Sequence, residues 1–257
     1  MLNGKRGQIT VFIILGIIIV AIIGITYFVL NQRAEELTKK EAKFDESKLQ
    51  PLKVYVEDCI KQEGNKVLEL LGKQGGDVDS GLYQYYYDNK ISYLCYTDSF
   101  NACNNRRPNL INHMENEIKN YMETNLRKCI NLNEVKKAGF KVEAGNEFKV
   151  SVSIGRLNTI INLDYPITIT KGNTIVKENR FTNTFDVPLG RLAEVVNYGI
   201  DEEITAGEFY TVPYMLRHQG EIEIQKQEIR DGNRIYILNL RNDPYIFQYA
   251  VRSYARA

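Results

Sequence analysis

Hydrophobic residues run without interruption through the first part of the chain. Residues 7–32 carry no charged side chain, and the segment from Ile9 to Leu30 is apolar on all sides. A helix over this segment spans about 33 Å, close to the hydrocarbon thickness of a bilayer. The pattern therefore predicts, at residues 8–32, either a transmembrane helix or the packing helix of a filament.

The residues on either side of this segment indicate its orientation. Lys5 and Arg6 stand directly in front of it, in a basic leader or cytoplasmic head of residues 1–7 that is typical of a signal anchor. Residues 33–48 are rich in Ala, Glu and Lys and contain no Gly or Pro, so they form either a helical stalk or a flexible charged linker. We expect everything after the apolar helix to lie outside the cytoplasm.

Two amphipathic helices are predicted next. Pro51 opens the first, whose apolar residues recur at helical spacing until glycines at residues 72–76 end it. The second follows Pro108 and carries an apolar stripe as far as Ile130. Because each apolar face needs a partner surface, residues 49–135 are predicted to form a helical lobe.

From residue 139 onwards, apolar and polar residues alternate as they do in β-strands. Turn sequences at residues 171–174 and 231–233 predict two hairpins, and Pro188 opens a helix between them. A last strand, YIFQYAVRSYA, closes the chain. Residues 139–257 are therefore predicted to form an antiparallel α+β lobe. The fold class of the chain is α+β, with the N-terminal helix ahead of both lobes.

The four cysteines all follow the apolar segment, and none forms a CxxC pair. An even number of cysteines in an exported domain indicates disulfides. Cys59 lies early on the apolar face of the first helix and Cys129 late on that of the second, so antiparallel packing favours a Cys59–Cys129 bond. Cys95 and Cys103 would then pair locally. Four cysteines allow three connectivities, and the sequence alone does not choose among them.

A short motif precedes the apolar segment. Lys5-Arg6-Gly7 followed by Gln8-Ile9 resembles the class III signal peptides of archaeal prepilins and archaellins. The resemblance implies that a peptidase cleaves between Gly7 and Gln8 and leaves the apolar helix on the mature protein. Phe12 stands at the fifth position after this bond, where type IV pilins usually carry Glu, whereas archaellin helices resemble this one in lacking charge. The chain is also similar, through LGKQGG at residues 71–76, to uncharacterised archaeal membrane-anchored surface proteins.

No signature of catalysis is present in the sequence. The chain has 33 Lys and Arg against 32 Asp and Glu, a balance that does not favour a nucleic-acid partner. His113 and His218 lie outside any metal or nucleophile motif, and we interpret them as a surface or capping residue and a turn residue. We therefore expect a protein that is not an enzyme and has no catalytic residue, metal or cofactor.

Two residue clusters have competing interpretations. Residues 77–81 together with Asp88 form a fragment of a calcium loop, but a plain turn is favoured because Asp and Gly are turn formers. Tyr83, Tyr85 and Tyr87 share one face of a predicted strand, for which core packing is favoured. The alternative is an adhesive surface, since tyrosine is enriched at interfaces and stacks on sugar rings.

These patterns together indicate a surface protein. The leading hypothesis is a pilin-like filament subunit that associates with copies of itself through its N-terminal helix after leaving the bilayer. The alternative is a single-pass adhesion or binding protein that stays in the membrane and does not polymerise. The partners are the lipid bilayer and other copies of the chain, and the surface ligand is left open.

Overall fold

The computed structural model describes residues 52–137 and 139–254, which belong to one unit of the chain. The predicted basic head, apolar helix and charged stalk lie outside these residues, as do Gly7 and Gln8. Within the described ranges, no helix is long and apolar enough to cross a membrane. The elements are, in order, α1 (52–74), β1 (Tyr83–Tyr86), β2 (Asn89–Tyr96), β3 (Asn104–Asn105), α2 (Leu110–Cys129), α3 (Leu132–Lys137), β4 (Lys141–Ala144), β5 (Lys149–Ile154), β6 (Thr159–Lys171), β7 (Thr174–Phe185), α4 (Leu189–Thr205), α5 (Thr211–Arg217), β8 (Ile222–Glu228), β9 (Asn233–Leu240) and β10 (Phe247–Arg252).

Helix α1 ends where glycine allows a left-handed backbone. Gly75 and Gly76 have φ angles of 73° and 86°, and the Gly76 amide donates to the Leu71 carbonyl at 2.9 Å. Of the two hydrogen bonds that define a Schellman motif, this is the one that spans six residues. The motif satisfies carbonyls left without partners at a helix end. Gly72, predicted as part of the helix stop, lies inside the helix instead.

Helix α2 packs antiparallel to α1. Its N-cap is Asn109, whose side chain accepts a hydrogen bond from the Asn112 amide. Near the end of α2, the Cys129 carbonyl accepts a hydrogen bond from the Tyr55 hydroxyl at 2.9 Å. Near the start of α2, Met114 lies against Gly76. The buried stripe of α2 repeats at helical spacing and comprises Leu110, Met114, Ile118, Met122 and Leu126.

The larger sheet joins strands from distant parts of the chain, in the order β1-β2-β10-β9-β8, with β3 beside β2. All its pairs are antiparallel except β2 and β10, which run parallel. Residues 83–105 thus supply β1–β3, and the last strand of the described chain lies next to β2. The last strand was predicted as part of an antiparallel lobe, so its parallel pairing with β2 is a correction. Strand pairs far apart in sequence have no local signal that sets their direction.

The smaller sheet is built around β6. Strand β7 pairs with β6 along nearly its whole length, and β4 and β5 pair with different parts of the other edge of β6. Residues 172–173 form the turn of the β6–β7 hairpin, as the sequence predicts. The second predicted hairpin is also confirmed, as β8 and β9.

Helix α4 packs on the larger sheet, and aromatic side chains form the core between them. It begins after Pro188, as predicted, and Gly199 lets the helix approach the rings of Phe209 and Tyr249. The Tyr249 ring is stacked on that of Tyr236, with their centroids 5.1 Å apart. Both tyrosines are fully buried. The described chain is therefore α+β, with helices packed on two mainly antiparallel sheets.

Candidate functional site

All four cysteines are paired. Cys59 is bonded to Cys129, with Cα atoms 5.9 Å apart, and Cys95 to Cys103, with Cα atoms 5.4 Å apart. These are the two pairs that the helix spacing favours, and no free cysteine remains. The first bond links α1 to α2, and the second links β2 to the segment before β3. Two disulfides are typical of a protein in an oxidising, extracellular environment.

A buried carboxylate organises the turn after α1. Asp77 is 5% exposed and accepts a hydrogen bond from the Ser92 hydroxyl at 2.6 Å. Arg107 donates to its other carboxylate oxygen at 3.3 Å, and the His113 ring contacts that same oxygen. Burial by itself raises the pKa of Asp77, but the hydrogen bonds from His113 and Ser92 and the charge of Arg107 outweigh it, so the pKa lies below its ordinary value.

This arrangement corrects the interpretation of His113 as a surface or capping residue. Its side chain is 23% exposed and ties α2 to the turn through Asp77. Ser92, the hydroxyl nearest to the carboxylate, is 1% exposed, and its oxygen bonds to Asp77 and Ser80. The cluster therefore joins the turn after α1 to β2 and α2. Its hydroxyl groups, those of Ser80 and Ser92, are buried.

The residues proposed as a calcium-loop fragment are divided between two turns. Asp77 binds protein groups in the turn after α1, whereas Asp88 lies in the β1–β2 turn with a φ angle of 63°. Across residues 52–137 and 139–254, no group of three or more His, Cys, Asp or Glu side chains is placed to hold a metal ion.

A second buried carboxylate was not singled out from the sequence. Glu203 of α4 is fully buried, and the Tyr236 hydroxyl and the Arg234 guanidinium both bond to it. The Phe209 amide donates to it at 3.3 Å. Burial raises the pKa of Glu203, although these partners act in the opposite direction. The available signal was its place on the buried stripe of α4, seven residues beyond Val196 and three beyond Ile200. The acidic residues next to it in the sequence concealed that signal.

A cleft of about 330 Å³ lies between α1 and the loop that joins β9 to β10. The Tyr245 hydroxyl donates to the Leu68 carbonyl at 2.7 Å and fixes the loop to the helix. Burial raises the pKa of Tyr245 well above its ordinary value. Apolar side chains line most of the cleft, and Lys73 and Glu69 pair with each other at its rim. The cleft holds no group with the geometry of a nucleophile and its base.

The tyrosine cluster is only partly buried, which corrects the prediction of core packing. Tyr83 is partly buried, but Tyr85 and Tyr87 are 58% and 83% exposed. Tyr83 and Tyr85 contact each other edge to face, with centroids 5.0 Å apart, and Tyr86 and Tyr87 do so at 4.5 Å. The β1–β2 hairpin therefore presents aromatic rings to solvent. Strand alternation did not reveal this because β1 is an edge strand with little packed against it.

The chain matches no protein-family model, no curated protein and no solved structure. Its function must therefore be argued from its own residues.

Proposed function

We propose that this protein is a membrane-anchored extracytoplasmic structural protein, a pilin-like subunit that assembles into filaments through its N-terminal apolar helix. The observation that carries the proposal is the complete pairing of the four cysteines, because stable disulfides require an oxidising compartment. The uncharged segment at residues 8–32 supplies the anchor. A helix that is apolar on every face is suited both to lipid and to a bundle of identical helices.

The position of the Cys59–Cys129 bond supports a mechanical role. Helix α1 is the first described element after the N-terminal segment, so tension on that segment would load α1 before the other described elements. The disulfide joins α1 covalently to the far end of α2. The Tyr55 hydroxyl donates to the Cys129 carbonyl and accepts from the Asn131 amide, each at 2.9 Å. These links oppose the peeling of α1 from the domain.

The experiment that tests the proposal is an intact mass measurement of the native protein, before and after reduction and alkylation. We expect loss of residues 1–7 by cleavage between Gly7 and Gln8, and four alkylated thiols only after reduction. Gly7→Val should block the cleavage, whereas Gly4→Val is a matched control upstream of it that should be processed normally. A mature protein that retains Met1 would contradict the filament proposal.

The second candidate function is a single-pass adhesion or binding protein that stays in the membrane. The exposure of Tyr85 and Tyr87 favours it, since aromatic rings at the surface of the described domain can contact a ligand. Sedimentation of native membranes distinguishes the two functions. Filaments that pellet after detergent extraction support the subunit, and a detergent-extracted monomer with an intact amino terminus supports the adhesion protein.

A further inference from the structure

The β6–β7 hairpin extends beyond the start of α1. The Asn183 side chain donates to the Glu57 carbonyl at 2.6 Å, and the Phe185 ring lies against Gly64. Going back along β7 from Phe185 to Asn183 therefore leads towards the start of α1. Eight more residues lead to Ile175, a rise of about 26 Å, whereas α1 rises only about 8 Å from Glu57 to its start. The tip of the hairpin accordingly projects past the first turn of α1.

The N-terminal segment joins the domain at this same end. Residues 33–51 connect the predicted apolar helix at residues 8–32 to the start of α1 at residue 52. The end of α2 lies there as well, since the Tyr55 hydroxyl donates to the Cys129 carbonyl, and α3 follows directly. The hairpin tip, α3 and the start of α1 are thus at the end of the domain from which the chain leads to the proposed anchor.

One face of the smaller sheet at this tip combines an exposed apolar side chain with lysines. Residues that pair directly across antiparallel strands have their side chains on the same face. Lys141 of β4 pairs with Thr170 of β6, which pairs with Ile175 of β7, so these three form one row. Ile175 is 69% exposed. Lys177 lies two residues further along β7, so its exposed side chain shares this face.

Basic residues outnumber acidic ones at this end of the domain. The segment of residues 127–150 has six Lys and Arg, all exposed, against three Glu. It returns to the end of α2, because the Arg127 guanidinium lies 4.1 Å from the centroid of the Phe148 ring. Residues 171–178 add two Lys and one Glu. Glu143 pairs with Lys141 at 2.8 Å and neutralises one cation, but the end remains basic in a chain of nearly balanced charge.

Charge and position both indicate an anionic lipid surface as the partner of this face. Lysine and arginine side chains are attracted to anionic head groups, and an apolar side chain among them enters the boundary between head groups and acyl chains. Among the residues of β4, β6 and β7, Ile175 is the one large apolar side chain that is exposed. One such side chain is too little for the apolar centre of a stable protein interface.

We propose that the exposed face at the tip of the β6–β7 hairpin binds the surface of an anionic bilayer, with its lysines at the head groups and Ile175 inserted between them. The inference rests on the proposed N-terminal anchor and deepens it, because it gives the domain a second contact with the same membrane. This contact belongs to the membrane-bound form of the protein, whether or not that form later assembles into filaments.

Tryptophan fluorescence of the full-length protein in vesicles tests the contact. The chain has no tryptophan, so Ile175→Trp supplies a single probe at the tip. The vesicles are phosphatidylcholine alone, or equal parts of phosphatidylcholine and phosphatidylglycerol, with bromine atoms on the acyl chains near the head groups as quencher. We expect strong quenching in the anionic vesicles. Quenching should be much weaker in the neutral vesicles, and also at about 1 M salt, where charges are screened beyond about 3 Å.

Tyr87→Trp is the matched control probe. Tyr87 is 83% exposed in the β1–β2 turn, and Ser92 of β2 lies against Gly75 at the far end of α1. The ends of α1 are more than 30 Å apart at about 1.5 Å per residue, beyond the reach of bromine in the bilayer. The Tyr87→Trp probe should therefore not be quenched in either kind of vesicle.

Neutral substitutions measure the contribution of charge. Lys136→Gln/Lys177→Gln, combined with the Ile175→Trp probe, should lower the equilibrium constant for contact about 30-fold, so that more phosphatidylglycerol is needed for half-maximal quenching. Lys171 is left in place because its Nζ lies 4.4 Å from the centroid of the Phe140 ring, so its loss would also change packing.

Lys73→Gln/Lys90→Gln is the matched control for charge. It changes the net charge of the chain by the same amount, but at the far end of α1 and at the start of β2, close to Ser92. Quenching of the Ile175→Trp probe should be unchanged in this background. An equal loss of quenching in both double variants would show that only the net charge of the protein matters, and would overturn the proposed face.

Other outcomes would overturn the proposal directly. They are an unquenched Ile175→Trp probe in anionic vesicles, equal quenching in neutral vesicles, or quenching that salt does not reduce. Probe emission that shifts to shorter wavelength with rising protein-to-lipid ratio in vesicles without bromine would assign the tip to a second copy of the chain instead.

Flotation of the same vesicles in alkaline carbonate reports on the anchor independently. A protein that floats with the vesicles but is not quenched would refute only the surface contact. A protein that does not float would refute the anchor, while quenching at neutral pH would still decide the contact. Failure of this inference and failure of the proposed function are therefore distinguishable.

Discussion

Removing the two disulfides separately should destabilise the domain by unequal amounts. Cys59 and Cys129 are 70 positions apart, whereas Cys95 and Cys103 are 8 apart. A cross-link stabilises mainly by restricting the unfolded chain, and the restriction grows with the length of the closed loop. The chain-entropy relation assigns about 4.4 kcal/mol to the longer loop and about 2.5 kcal/mol to the shorter one. The double variant Cys59→Ala/Cys129→Ala should therefore lose about 1.9 kcal/mol more than Cys95→Ala/Cys103→Ala.

The two double variants are matched controls for each other, since each replaces one disulfide with two alanines. Burial works against the predicted order, because Cys95 and Cys103 are 0% and 2% exposed and their loss also leaves a void in the core. The predicted order is therefore a demanding test of the loop-length argument.

Equilibrium unfolding in urea measures the difference on the full-length protein in detergent. The chain has 17 tyrosines and no tryptophan, so near-ultraviolet circular dichroism of tyrosine is the natural probe. The free energies of unfolding are extrapolated to water and compared at one detergent concentration. Equal losses, or a larger loss for Cys95→Ala/Cys103→Ala, would refute the reasoning from unfolded-state entropy.

Three other substitutions probe the buried network and the helix packing. Asp77→Asn should cost about 1–3 kcal/mol at neutral pH. Because the folded pKa of Asp77 is lowered, this cost should be present above pH of about 4 and disappear as the pH falls through the folded pKa. A cost that persists in acid would contradict a lowered pKa for Asp77. The pKa of Glu203 is raised in the folded protein. The stability of the wild type relative to Glu203→Gln should therefore be greatest below pH of about 4 and fall as the pH rises through the folded pKa. A difference in stability that does not change with pH would count against a raised pKa. Gly72→Ala places a methyl group 2.4 Å from the Ile246 carbonyl oxygen and should lower the urea midpoint despite the better helix propensity of alanine. The control Gly81→Ala, with open space around it, should change the midpoint little. An unchanged midpoint for Gly72→Ala would show that the loop containing Ile246 moves to accommodate the methyl group.

Much of the secondary structure could be predicted because its signals are local. Pro188 precedes α4, the turn sequences mark both hairpins, and the apolar stripe of α2 repeats with the helical period. The pairing of Cys59 with Cys129 was favoured by a similar local signal. Cys59 lies early on the apolar face of the first helix and Cys129 late on that of the second, and antiparallel packing brings those ends together. In each case the residues that form the element also carry the information that predicts it.

The candidate sites depend on contacts that no local pattern encodes. Glu203 is buried because α4 faces Arg234 and Tyr236 of β9, and His113 is partly buried because Asp77 turns back onto α2. The exposure of Tyr85 follows from the place of β1 at the edge of the larger sheet, and that of Tyr87 from its place in the β1–β2 turn. Alternation along a strand indicates which residues share a face, but it does not indicate whether that face is covered.

Local patterns in the sequence indicate the apolar segment, the α+β class and the two hairpins, and they favour one set of disulfide pairs, because helical periodicity, strand alternation and turn residues act over a few neighbouring positions. Three features follow only from the fold of the described domain: β10 lies parallel to β2, two carboxylates are buried among charged partners, and tyrosine rings project from the hairpin. Each of these depends on which distant segments exclude water from one another. That outcome is set by the packing of the whole domain and by no single stretch of the chain.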